Sequence, residues 1–146
     1  MKYSVAGKQT FAFTRQDRTL VDDVQGHMLS LAISEGINVN TGETVLMDRA
    51  AVLSFVTSDL VNYSGPLKGY TKTSKKGDVI YAKVEGKINT TLSADGTPVP
   101  TIEGTFSWIK GEGQFENIKG GGTLKGYYIT NLIYIVDWEG EYWIEK

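Results

Sequence analysis

Cysteine is absent from this sequence, and histidine occurs once, at His27. The first absence excludes a disulfide framework, a thiol nucleophile and any Cys-ligated zinc or iron–sulfur site. The second excludes any centre that needs two imidazole ligands, and no cofactor or functional metal is expected. Proline is scarce, at 3 of 146 residues. A dominant charge is missing too: 15 Lys and Arg stand against 17 Asp and Glu, a net −2. A surface that tracks phosphates carries a basic excess, so nucleic acid is not an expected partner. No segment approaches the roughly 18 consecutive apolar residues of a membrane helix, so no membrane is expected either. Met1 to Thr10 carries Lys2 and Lys8 with no apolar stretch behind them, so no secretory signal is read and the expected location is cytoplasmic.

What is present is ordinary for one folded domain over residues 1–146: 40% hydrophobic and 22% charged residues, with glycine high at 17. From Asp78 to Leu92 the alternation is clean. Ile80, Ala82, Val84, Gly86, Ile88 and Leu92 share one face, and Lys83, Glu85, Lys87 and Asn89 share the other. A period of two with β-branched residues predicts a half-buried strand. Ser74-Lys75-Lys76-Gly77 before it reads as a hairpin turn, Gly77 supplying positive φ. Further strands are predicted around Phe11–Phe13, at 24–33 (where a short helix is the alternative), 52–61, 69–73, 101–109, 123–129 and 132–144. Gly36 to Arg49 reads as a long polar loop, and Ser93 to Pro98 as a turn. On 24–33, His27, Leu29, Leu31 and Ile33 share a face that is expected to point inward.

About eight short strands with no convincing helix predict an all-β fold. A closed eight-stranded antiparallel β-barrel is preferred over a sandwich, because closure removes edges and gives the apolar faces one lumen.

The segment from Gly111 to Gly126 is rich in glycine. Its Gly111-x-Gly113 fails as a phosphate loop, since a strand follows where a helix is needed and the Lys-Ser/Thr pair is missing. The glycines suit tight bends and close strand approach at a barrel rim, with Phe115 and Ile118 as a one-turn plug of the barrel end. A strand, then Gly111-x-Gly113-x-Phe115, then Ile118-x-Gly120-x-Gly122-x-x-x-Gly126 and a closing strand resembles the allene oxide cyclase-type barrels. Dirigent-like proteins and small bacterial barrels share this pattern. The resemblance is carried by residues 101 to 145 and more weakly by 50 to 92. It implies a calycin-type barrel with an apolar lumen, assembled as a dimer or trimer. It also implies cofactor-independent cyclisation, isomerisation or coupling of a hydrophobic small molecule. No catalytic residue is carried over from it.

Few residues can carry chemistry. His27 titrates near neutrality and is the candidate catalytic acid/base or hydrogen-bond anchor; the competing reading is a half-exposed His at a strand start. Phe55, Trp108, Tyr128, Tyr134, Trp138 and Tyr142 are candidate ligand-binding residues, with Trp108 and the four from the last strands read as one inner face. Those aromatics either line a pocket or fill the barrel solid, and their hydroxyls and indole N–H groups lean toward a pocket. Glu85 and Glu103 read as exposed salt-bridging acids. No serine sits in a nucleophile elbow. The functional expectation is an enzyme that turns over an apolar substrate in the lumen; the alternative is a non-catalytic carrier or interaction barrel. Outward Ile129, Ile133 and Ile135 would cover themselves in a homo-oligomer.

Overall fold

A computed structural model describes all 146 residues. It contains eight strands: β1 (Tyr3–Leu20), β2 (His27–Asn40), β3 (Ala50–Val61), β4 (Gly65–Lys75), β5 (Asp78–Leu92), β6 (Pro98–Glu112), β7 (Ile118–Tyr128) and β8 (Ile133–Ile144). A single 3₁₀ turn, Gly113–Phe115, separates β6 from β7. Each strand pairs antiparallel with its neighbour in sequence, and β1 pairs with β8, so the sheet closes into a barrel. The all-β closed barrel predicted from the alternation is the observed fold.

The β4–β5 hairpin shows how local sequence sets this topology. Lys75 ends β4 and Asp78 begins β5. The two residues between them, Lys76 and Gly77, both have positive φ, at 50° and 87°. That is the mirror-image turn whose twist matches the right-handed twist of paired strands. Glycine acts differently inside the barrel. A Cβ at Gly7 would collide with the Trp138 indole on the adjacent strand, so the glycine is what lets that ring lie flat across the sheet.

The inward residues form two unequal zones. At one end, called here the base, Val5, Leu46, Met47, Ala50, Phe115 and Ile118 are buried together. The 41–49 loop folds across this end, and the 3₁₀ turn seats Phe115 beside it. Asp78 holds the turn by accepting from the Gln114 backbone N–H and its side-chain amide, and these bonds hold its carboxyl below the usual range. The opposite end, the mouth, is ringed by the short connections β1–β2, β3–β4, β5–β6 and β7–β8.

Three expectations need correction. Gly36–Asn40 is the end of β2, paired with Gly7–Phe11, and the loop is shorter than predicted. The polar Asn38 and Asn40 are compatible with a strand because they tie down the base loop. Ile118 opens β7, so the plug of the base is Phe115 with the base loop rather than one turn carrying both residues. The β2 face holding His27, Leu29, Leu31 and Ile33 points out of the barrel, and Met28, Ser30, Ala32 and Ser34 point in. The more apolar face of this strand is the outer one.

Candidate functional site

The barrel is not packed solid. Above the base lies a cavity of about 680 Å³ that opens at the mouth and is floored by Leu46 and Met47. Its walls differ in chemistry. On one side the inward positions of β6, β8 and β1 are aromatic. Trp108 meets Phe106 and Trp138 edge-to-face, with ring centroids 4.9 and 6.2 Å apart. Phe11 stacks on Tyr134 at 5.0 Å, and Phe13 lies 4.9 Å from the same ring. Such offset and edge contacts add to simple burial, so this wall is fixed in shape.

On the other side β2, β3 and β4 present hydroxyls. The register places Ser34 opposite Ser54 and Ser54 opposite Thr71, making one cross-strand row. Nearer the mouth a second row runs Arg18, Ser30, Ser58. The two walls meet at Tyr134, whose hydroxyl is 2.6 Å from Ser34 Oγ. Burial pushes the Tyr134 phenol up, and the Ser34 and Ser54 hydroxyls pull partly the other way. Burial pushes Tyr128 up to about 12. Both phenols are therefore neutral hydrogen-bonding groups near pH 7.

Arg18 reaches the lumen through a β-bulge. The β1–β2 register shifts between Phe13 and Arg15. Odd-numbered residues of β1 face inward before the shift and even-numbered ones after it, so Gln16 and Arg18 line the cavity. Arg18 is the one charged side chain in the lining. It donates to Gln16 Oε1 at 3.3 Å, and no carboxylate pairs with it. No three His, Asp or Glu side chains converge as a metal site would require.

The sequence-derived candidates separate into three groups. Trp108, Tyr128, Tyr134 and Trp138 line the cavity. Tyr142 is on the inner face but below the floor, stacked on Tyr3 at 5.1 Å with Phe115 edge-on. Phe55 and His27 are on the outside. Phe55 lies between Ile33 and Tyr70 on neighbouring strands. His27 sits between Asp23 and Asp59, each at 2.5 Å from one ring nitrogen. The hydrogen bonds its ring N–H groups donate to Asp23 and then to Asp59 raise its pKa. The expectation of His27 as a luminal acid/base is thus corrected: it clasps the β1–β2 loop to β3.

The sequence reading missed Arg18, the serines of β2 and β3, Thr71 and Thr73. The serines were visible as the alternate face of β2 and β3. Arg18 was not, because nothing in the sequence announces a bulge that reverses the parity of β1.

No protein-family model matches the chain, and no curated protein matches it.

Proposed function

We propose that the protein encloses one small, mostly apolar molecule in the barrel and shields it from water. The observation that carries this is the floored cavity of about 680 Å³, a volume typical of sites for small organic ligands. Carriage without turnover is the reading the lining favours. The buried phenols of Tyr128 and Tyr134 are protonated near neutrality and the lining holds no carboxylate or imidazole, so it offers hydrogen bonds but no general base of those kinds. A second reading is cofactor-free cyclisation or isomerisation guided by shape. The Tyr134–Ser34 pair supports it, since a fixed hydroxyl can polarise a ligand oxygen as a bond rearranges. The resemblance to allene oxide cyclase-type barrels supports it also.

Native mass spectrometry of the purified protein, followed by extraction and chromatography of any bound compound, tests both. A compound bound and returned unchanged supports the carrier. Conversion to an isomer supports the enzyme. An empty lumen that takes up none of a panel of apolar compounds overturns both.

The outer surface supports a barrel that stands in water as a homo-oligomer. Ion pairs such as Lys83–Glu85 at 3.2 Å and Lys87–Glu103 at 3.1 Å cross its outer face, where a lipid-facing barrel carries an apolar band. A separate exposed apolar group, with Phe55 and Tyr70 at its centre, supports self-association.

A further inference from the structure

The segregation of the lumen into an aromatic wall and a hydroxyl wall, with one arginine at the mouth, narrows what fits inside. A pure hydrocarbon would strip water from the hydroxyl wall and return nothing, leaving polar groups without partners. Ser30, Ser58, Thr71 and Thr73 all line the cavity, where a ligand would meet their hydroxyls. A flexible alkyl chain would meet them no better, and it would lose rotamer freedom against a wall already shaped by fixed rings. A rigid ring system avoids both penalties. Its faces and edges meet Phe11, Phe106, Trp108 and Trp138, and oxygens on its rim meet the hydroxyls.

The register also sets where those oxygens belong. The mouth row contains Arg18 and Ser30, and the deeper row contains Ser34, Ser54 and Thr71. Ser30 and Ser34 are four residues apart on one strand, about 13 Å at about 3.3 Å per residue. We infer that the lumen takes a flat aromatic acid with an oxygen at each end, its carboxylate beside Arg18 and its far hydroxyl or carbonyl among Ser54, Thr71 and Tyr134, which line the cavity at the deeper row. A carboxylate supplies the acid that Arg18 lacks in the chain, and the guanidinium fork suits its two oxygens. The inference rests on the binding role proposed for the lumen.

Four probes separate the parts by isothermal titration calorimetry: 6-hydroxy-2-naphthoate, 2-naphthoate, 2-naphthol and decanoate. The hydroxy acid is expected to bind about tenfold more tightly than 2-naphthoate or 2-naphthol, each of which lacks one terminal oxygen group. Arg18→Gln should abolish the preference for the hydroxy acid over 2-naphthol while leaving 2-naphthol affinity unchanged. Ser54→Ala should weaken the hydroxy acid and leave 2-naphthoate unchanged. Equal binding of the three naphthalenes, or a carboxylate preference that survives Arg18→Gln, overturns the inference. If decanoate binds as tightly as the ring acids, this inference falls and the ligand-binding reading stands. If no probe binds although native mass spectrometry shows an occupied lumen, this inference again falls alone. If no probe binds and the lumen is empty, both fall.

Discussion

The Trp138 indole N–H donates to Asn38 Oδ1 at 2.9 Å, joining β8 to β2 across the inside of the barrel. The same Asn38 amide donates to the carbonyls of Leu46 at 3.3 Å and Met47 at 3.0 Å. One buried side chain thus ties the aromatic wall to the loop that floors the cavity. Asn40 reinforces the arrangement, donating to the Ala6 carbonyl and accepting from the Leu46 N–H.

Asn38→Ala is expected to destabilise the fold by about 2–4 kcal/mol, because it strands an indole N–H and removes the donor to two loop carbonyls. Urea unfolding measures this. A loss below about 0.5 kcal/mol would show that the floor loop is held by packing of Leu46 and Met47 alone.

Filling the cavity should separate stability from binding. Val56 is half-buried and lines the lumen between Ala32 and Gly69 on the flanking strands. Val56→Phe adds apolar surface where there is open space, so the melting temperature should hold or rise. Ligand affinity should fall at least about tenfold, since the ring occupies ligand volume. A large drop in melting temperature would mean that the lumen is tighter at this level than its geometry shows.

The clasp of His27 with Asp23 and Asp59 gives a pH window. His27 has a raised pKa, so its contribution is fully present below the ordinary value of 6.5 and is lost as pH rises through the raised one. Asp23 has a lowered pKa, chiefly through its hydrogen bond with His27. Its contribution is present above the ordinary 3.8 and is lost as pH falls through the lowered value. The clasp is therefore strongest between those limits. The melting temperature of His27→Gln should trail the parent most between pH 3.8 and 6.5, a window set by the two ordinary values. The gap should close in alkaline buffer. A gap that widens with rising pH would contradict the assignment of His27 as a charged clasp.

The strands were legible where one face is apolar and the other charged, as in β5. Its outward Lys83, Glu85 and Lys87 form ion pairs with neighbours, and its inward Ile80, Ala82 and Val84 are buried. On β2 the rule that the apolar face points inward gave the opposite orientation. Its inward face carries Ser30, which lines the cavity, and the buried Ser34, while Leu29 and Ile33 are outside. A barrel whose lumen is an open cavity does not need its most apolar face inside. Periodicity identified the strand but could not choose between its faces. The site depends on that choice, and on the β1 bulge, so it was less legible than the fold.

The outward face of β2, β3 and β4 yields the last prediction. Ile33, Phe55 and Tyr70 lie in one cross-strand row, with Phe55 40% and Tyr70 51% exposed. Cross-strand neighbours on one face touch, so these side chains form a continuous patch rather than scattered apolar residues. A second copy of the chain would cover the patch by presenting the same surface about a two-fold axis. Phe55→Lys places a charge at its centre and leaves the lumen untouched, because the side chain is on the outer side of the wall. Light scattering should show the parent above the 16.1 kDa of one chain and the variant at that mass, with ligand affinity unchanged. A parent that runs at 16.1 kDa at high concentration removes the oligomer. A variant that keeps the parent's mass moves the interface elsewhere, with the outward Ile133 and Ile135 of β8 as the next surface to test.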